Sequence, residues 1–211
     1  MCIRDRVLVA LPTLALPTLA VAESAPGRLL AALSADWNAD GILDAATLVQ
    51  AADGMADLVV YLGSGIAGLE PVVTVASVVF AGPMAGQLPT LSARTDSSFA
   101  INSEQTGIGR TPWFQSITVA LRDGEFLVAG YSYSFYDRLD LAHFGSCDVN
   151  LLTGDFSVSQ GPGDGTGSDT ASDRATEAPG IVTEGRAARG AFALADLTEG
   201  YVAPACDHLF R

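Results

Sequence analysis

The sequence predicts an all-β protein made of antiparallel sheets, arranged as a β-sandwich or as a partial propeller-like meander. Short runs rich in β-branched and aromatic residues recur along the chain and are separated by glycine-containing turns. No segment carries the 3.6-residue apolar repeat that is typical of a long amphipathic helix. The 211 residues are enough for one domain of ordinary size, and 49% of them are hydrophobic, which suffices for a core.

The N-terminal segment has the pattern of a secretory signal peptide. The apolar stretch VLVALPTLALPTLAVA, residues 7–22, follows Arg4 and Arg6 and ends in an A-x-A cleavage motif. It is short and contains two prolines, which makes it a poor transmembrane helix. We therefore expect residues 1–22 to be removed, residues 23–211 to form a single β domain without a membrane span, and the protein to be periplasmic or extracellular. The opening MCIRDR resembles a translated sequencing-adapter fragment and carries no weight for the fold.

The remaining chain contains a series of predicted strands: residues 43–50, 56–62, 71–80, 99–102, 115–121, 125–136, 148–152 and 155–159. Residues 27–33, GRLLAAL, favour either a short helix or the approach to the first strand. Asp123 and Gly124 stand between two alternating runs, and both residues tolerate the positive φ angles of a tight hairpin turn. Thr153 and Gly154 stand between two further runs and predict a second hairpin.

Residues 161–180, GPGDGTGSDTASDRATEAPG, differ in composition from the rest of the chain. They contain no aliphatic side chain larger than alanine, so they bury too little apolar area to offset the entropy lost on ordering. We predict a long disordered surface loop inside the domain. An interdomain linker is the alternative, but only about thirty residues follow, too few for a stable second domain.

The charge balance excludes two classes of partner. The formal net charge is −13, and all 11 basic residues are arginines. A surface this acidic repels the phosphates of nucleic acids and the head groups of anionic membranes, so we expect neither as a partner. The same surface attracts cations.

Two cysteines remain after the predicted cleavage, Cys147 and Cys206. In an exported protein two cysteines usually pair. Their disulfide would close a loop of about 60 residues and add about 3 to 4 kcal/mol to the free energy of unfolding. A zinc site that includes His143 and His208 is the alternative, although neither half has the usual C-x2-C spacing.

The stretch DWNADGILD, residues 36–44, has the spacing of a cation-binding loop. Calcium prefers six to eight hard oxygen ligands, and a curled loop can supply them from alternate positions. The candidate ligands are Asp36, Asn38, Asp40, the backbone carbonyl of Ile42, and Asp44. Gly41 permits the sharp turn after the third ligand. A solvated turn without an ion is the alternative, because Asp, Asn and Gly are ordinary turn residues.

The helix-loop-helix calcium motif is excluded, because Thr47 stands where that motif needs a bidentate glutamate. The pattern D-x-N-x-D-G-x-x-D, followed by a strand, a turn and a second strand over residues 36–63, instead resembles the FG-GAP and VCBS repeat families. This resemblance implies calcium on the five groups named above, with Ala39 departing from the family's usual glycine. No second copy occurs in the chain. We therefore expect a single blade-like unit continued by an unrelated antiparallel sheet, not a closed propeller.

Other motifs give weaker indications of chemistry. Residues 63–68 match the dinucleotide pattern G-x-G-x-x-G, but Pro71 and a β-branched run follow where a helix is needed, which favours a turn between strands. Asp137 and Asp140 could form the paired carboxylates of a hydrolase, although a solvated strand end is the more ordinary interpretation. Arg110 is a candidate for a buried ion pair or an anion contact.

The aromatic residues could form a carbohydrate platform or pack within the sheets, and packing is the more common role. They are Trp37, Trp113, Tyr131, Tyr133 and Tyr136. No nucleophile, base or cofactor motif stands out. The sequence thus favours an exported, calcium-stabilised β-domain that acts as a non-enzymatic binding or accessory module for a protein or glycan ligand. A secreted hydrolase that uses paired carboxylates on a glycan or another polymer is the alternative.

Overall fold

The computed structural model describes residues 27–51, 53–82, 87–163 and 180–210. The predicted signal peptide and residues 164–179 of the predicted loop lie outside the described residues. Within these ranges the protein is almost entirely β-structure, in two antiparallel sheets, so the predicted fold class is confirmed. None of the described helices is long and apolar enough to cross a membrane.

The smaller sheet has four strands in the order β1-β2-β3-β4. Its strands are β1 (Leu29–Ala35), β2 (Asp44–Gln50), β3 (Met55–Ser64) and β4 (Gly68–Phe80). Each strand pairs antiparallel with the next along the chain, so the sheet is a simple meander. The structure settles the alternatives left open for residues 27–33, because β1 is a strand and not a helix.

The larger sheet has eight strands, seven of which follow the order β11-β10-β9-β8-β7-β6-β5. These seven are β5 (Thr90–Thr95), β6 (Ser98–Gln105), β7 (Trp113–Arg122), β8 (Glu125–Tyr136), β9 (Phe144–Asn150), β10 (Asp155–Gln160) and β11 (Ile181–Arg186). The short β12 (Phe192–Ala193) pairs with β8 beyond the end of β9. Strand β5 was not predicted, because its sequence TLSART has few large apolar side chains and its pairing with β6 holds it in the sheet.

Both predicted hairpins are confirmed. Asp123 and Gly124 connect β7 to β8 with φ angles of 52° and 82°, the positive values that match the twist of a tight hairpin. Between β9 and β10, Gly154 has a φ of 85°, and the side chain of Asn150 accepts backbone hydrogen bonds from Leu152 and Thr153. Local turn chemistry therefore sets the register of both strand pairs.

The two sheets share one hydrophobic core. The smaller sheet contributes buried residues such as Leu48 and Leu58, and the larger sheet contributes Phe99, Ile117 and Val128 from its inner face. Another part of that inner face is covered by the C-terminal segment, residues 191–210, whereas β11 is exposed along its length. This segment contains two 3-10 helices, Leu194–Asp196 and Pro204–Phe210, and places Leu194, Leu197 and Cys206 in the core.

A disulfide joins the C-terminal segment to the larger sheet. Cys147 lies on β9 and Cys206 lies in the second 3-10 helix, with 2.03 Å between the sulfur atoms. The predicted pairing is confirmed. The alternative zinc site is wrong, because both thiols are used in the bond.

We expect the double variant Cys147→Ala/Cys206→Ala to lose about 4 kcal/mol of unfolding free energy. The bond closes a 59-residue separation, and its removal frees the unfolded chain. Urea unfolding of the oxidised protein and the variant measures this difference. Addition of reductant should shift the wild type towards the variant and leave the variant unchanged, and equal midpoints for the two oxidised samples would contradict the prediction.

Candidate functional site

The predicted metal loop connects β1 to β2 and is curled by its own side chains. The two carboxylate oxygens of Asp36 accept the backbone N–H groups of Asp40 and Gly41, at 3.1 and 2.9 Å. The amide oxygen of Asn38 also lies 3.1 Å from the nitrogen of Asp40, and Asp40 accepts the N–H of Ile42 at 2.8 Å. Gly41 has a φ of 85°, as expected for the sharp turn. The loop therefore gathers side-chain oxygens from three alternate positions around one short stretch of backbone.

Asp44 faces the interior of the protein and is fully buried. One of its carboxylate oxygens accepts the backbone N–H of Trp37 at 2.8 Å, and the other accepts that of Gly63 at 2.9 Å. This places Trp37 in the core, where its ring packs against Phe99 and Phe126 with centroid distances of 4.8 and 6.0 Å. Asp44 thus ties the loop to the far end of β3, a role that spacing in the sequence did not indicate.

The donor set fits the chemistry of calcium, since it offers carboxylate, amide and carbonyl oxygens. Among the described residues, however, no three His, Cys, Asp or Glu side chains form a group that could hold a metal ion. In the loop, Asp40 is exposed whereas Asp44 is buried, so these two carboxylates lie in different environments. The five-ligand calcium site stays a prediction.

The glycine pattern at residues 63–68 forms a turn between β3 and β4, as the sequence favoured over a dinucleotide site. Its first glycine has a packing role. A Cβ atom at Gly63 would overlap the carbonyl oxygen of Leu43 and the side chain of Ile42. Glycine at this position therefore allows the metal loop to lie directly against the end of β3.

Asp137 and Asp140 are buried, with relative exposures of 2% and 0%, so their interpretation as a solvated strand end is wrong. Arg110 reaches them from the connection between β6 and β7, and its Nε lies 2.6 Å from Oδ1 of Asp137. That oxygen also accepts the backbone N–H groups of Leu139 and Asp140. Of the two roles open to Arg110, the structure shows the ion pair.

The carboxyl group of Asp137 is held in its ionised form. Burial raises its pKa, but the hydrogen bonds from Arg110 and from the backbone of Leu139 and Asp140 outweigh burial and lower the pKa to about 2, from an ordinary 3.8. A general acid for glycoside hydrolysis needs a raised pKa. Asp137 has the opposite shift and serves to join two loops of the larger sheet.

Other buried polar atoms of this cluster have no hydrogen-bond partner within the described part of the chain. They are Oδ2 of Asp140, Nη2 of Arg110 and Nδ1 of His143. The last of these lies 3.5 Å from Oδ2 of Asp137, close enough for an ion pair when the histidine is protonated. Arg138, which follows β8, also contacts the connection between β6 and β7, because its guanidinium donates to the carbonyl groups of Thr106 and Gly109.

Most of the aromatic candidates pack within the fold. Trp37 and Tyr131 are buried, and burial raises the pKa of Tyr131 to about 12. Trp113 and Tyr133 are half-buried and stack on each other with an interplanar angle of 23°. Tyr136 is 39% exposed at the end of β8. These rings therefore take part mainly in cross-strand and core packing, and they do not form a shared carbohydrate platform.

The fold and this geometry define an all-β, disulfide-linked domain of two antiparallel sheets. Comparisons of the chain with models of known protein families, with curated proteins and with solved structures find no match. The resemblance to FG-GAP and VCBS repeats over residues 36–63 accordingly remains a prediction.

We expect Asp44→Ala to lower the unfolding free energy by about 2 to 4 kcal/mol, because it leaves two backbone N–H groups without an acceptor in the interior. Asp44→Asn should have a smaller effect, since the amide keeps one acceptor oxygen. Urea unfolding in the presence of a chelator measures both losses without any contribution from metal. Asp36→Ala is the matched control and should cost less than about 1 kcal/mol under these conditions. Equal losses for Asp36→Ala and Asp44→Ala would contradict the interior role of Asp44.

Acid should weaken the ion pair between Arg110 and Asp137. The lowered pKa of Asp137 contributes stability that is complete above its ordinary pKa of 3.8 and is lost as the pH falls towards 2. In Arg110→Gln the pKa of Asp137 rises, so the unfolding free energy should fall less steeply than in the wild type between pH 4 and pH 2. Urea unfolding at several pH values measures the two slopes.

Arg122→Gln is the control for this experiment, because among the described residues Arg122 donates only to Ser97 and to the carbonyl of Leu121. Its pH slope should match that of the wild type. A slope for Arg110→Gln as steep as the wild-type slope would show that the ion pair does not set the pKa of Asp137.

Proposed function

We propose that this protein is an exported β-domain that calcium stabilises and that acts as a non-enzymatic binding or accessory module in the periplasm or outside the cell. The observation that carries the proposal is the curled loop between β1 and β2. The Oδ1 atoms of Asp36 and Asn38 both lie 3.1 Å from the backbone nitrogen of Asp40. Two oxygens that could bind a cation, from alternate positions of the loop, are therefore close to each other.

The ligands would be those that the sequence indicates: Asp36, Asn38, Asp40, the carbonyl of Ile42, and Asp44. Calcium would neutralise the carboxylates at the surface and cross-link the loop. Both carboxylate oxygens of Asp44 already accept a backbone N–H, so Asp44 would act through a remaining lone pair or through water. Because Asp44 also anchors Trp37, the ion would stabilise the join between the loop and the core.

Two observations support export. The pattern at residues 1–22 is that of a signal peptide. The disulfide between Cys147 and Cys206 is typical of proteins from oxidising compartments.

A binding role is supported over hydrolysis by the state of the candidate carboxylates. Asp137 is engaged by Arg110 and two backbone groups, and Asp140 is fully buried. Asp137 joins two loops of the larger sheet, and Asp140 accepts the backbone N–H of Ala142 within its own loop. No described contact favours a second function strongly enough to propose it beside the first.

Calcium in excess over chelator should raise the melting temperature. A cation at about 100 times its dissociation constant adds about 2.7 kcal/mol of stability, which corresponds to about 5 to 10 °C for a domain of this size. Asp40→Ala removes an exposed ligand and should abolish the difference between calcium and chelator. Differential scanning calorimetry of the mature protein, with a measurement of its metal content, tests both expectations.

Asp123→Asn is the matched control, because it removes one carboxylate from an exposed hairpin turn and asparagine tolerates the φ of 52° at that position. This variant should keep the full response to calcium. Identical melting curves with calcium and with chelator for the wild type would overturn the assignment of the metal.

A further inference from the structure

The outer face of the larger sheet differs in chemistry from its inner face. Side chains alternate between the two faces along each strand. The inner positions are apolar and buried, as at Ile101, Ile117, Tyr131 and Val149. The intervening outer positions are occupied mainly by hydroxyl, amide and carboxylate groups, and they are half-buried or exposed.

One row of this face crosses all seven strands of the ordered path. The cross-strand pairs run in register from β5 to β11 through Thr90, Asn102, Ser116, Ser132, Asp148, Ser157 and Glu184. We call this set the polar row. Each member can accept a hydrogen bond, and the hydroxyl and amide members can also donate one.

The two halves of the polar row differ in the hydrogen bonds that their side chains form. Towards β5, Ser116 donates to Asn102 at 2.9 Å and accepts from Arg94 at 3.1 Å, so these groups satisfy one another. Towards β11, the side chains of Ser132, Asp148, Ser157 and Glu184 form no hydrogen bond with another described residue. Within the described part of the chain, no other side chain occupies the donors and acceptors of this second half.

Three neighbouring cavities of about 340, 320 and 380 Å³ follow the polar row, and we call them together the groove. Ser132 lines the first and the second cavity, and Asp148 and Asn150 line both the second and the third. These shared lining residues place the three cavities next to one another across the outer face of the sheet.

We propose that this groove binds a neutral polysaccharide that lies across the strands, with its hydroxyl groups hydrogen-bonded to the polar row. The proposal deepens the binding role proposed above and rests on it. Vicinal sugar hydroxyls match the carboxylate of Asp148 as paired donors, and they exchange donor and acceptor roles with Ser132 and Ser157.

The charges along the groove select a neutral polymer. Asp148, Asp155 and Glu184 line its β9–β11 end, so an anionic polysaccharide would meet repulsion there. At this end of the groove Arg186 pairs with Asp155 at 2.6 Å, whereas Arg94 lies at the other end, where it donates to Ser116. A protein segment would find few apolar contacts on this face to offset its loss of entropy.

The spacing of the row also suits a sugar chain. Neighbouring strands lie about 4.8 Å apart, which is close to the rise of one pyranose unit in an extended polymer. The sheet twists by about 20 to 25° per strand, so a straight chain can follow only a few strands. Phe114 is 38% exposed beside Ser116 and Ser134 in the first cavity, and its ring offers an apolar surface to one sugar face.

Native affinity electrophoresis of the full mature protein tests the proposal. The gels contain hydroxyethylcellulose, laminarin or galactomannan as neutral probes, or alginate as the anionic probe. At least one neutral probe should retard the wild type, and alginate should not. Ser132→Leu, which fills the groove, and Asp148→Ala, which removes the paired acceptor, should each weaken that retardation about tenfold, as expected for the loss of a hydrogen bond to a charged group.

The matched controls lie away from the groove. Ser34→Leu makes the same change at an exposed site on β1, and Asp196→Ala makes the same change in the first 3-10 helix. Both should bind as the wild type does, and melting temperatures establish that all four variants are folded. Retardation by none of the neutral probes, equal retardation by alginate, or binding unchanged in Ser132→Leu and Asp148→Ala would overturn the proposal.

The same samples separate this proposal from the proposed function. If calcium raises the melting temperature but no neutral probe binds, the polysaccharide proposal fails and the calcium-stabilised module stands. If a probe binds and its reducing ends increase with time, the groove is correct and the non-enzymatic role fails.

Discussion

The carboxylate of Asp44 is the constraint on which the join between the loop and the smaller sheet depends. A buried carboxylate without a basic partner is costly unless its oxygens are hydrogen-bonded. Here both oxygens accept backbone N–H groups, one from Trp37 and one from Gly63. These two bonds fix the start of β2, the end of β3 and the position of the tryptophan ring together. The loop that carries the candidate ligands is thereby a rigid extension of the core, even though its outer residues are exposed.

Two parts of the same chain pack against the inner face of the larger sheet. The smaller sheet covers one part, and the C-terminal segment covers another, where Tyr201 packs edge-on against Tyr131 at 5.7 Å. The outer face carries the polar row and its groove. A single sheet therefore contributes to the core on one side and has a mainly polar surface on the other, which is the arrangement that strand alternation allows in antiparallel sheets.

Local patterns were sufficient to predict most strands and both hairpins, because alternation and positive φ angles depend on neighbouring residues. The missed features depend on distant ones. The burial of Asp137 requires Arg110, which arrives from another connection, and the inward turn of Asp44 requires Gly63 at the end of β3. The polar row shares this limitation. Its members are scattered singly along the sequence, and only the register of the sheet places them side by side.

The disulfide lies directly behind this outer surface. Cys147 is the neighbour of Asp148 on β9, and its side chain points to the opposite face, towards the C-terminal segment. The strand that carries Asp148 is therefore joined by a covalent bond to the C-terminal segment behind it. In a reducing environment the hydroxyls and carboxylates of the outer face would remain on their strands, but β9 would lose its covalent bond to the C-terminal segment.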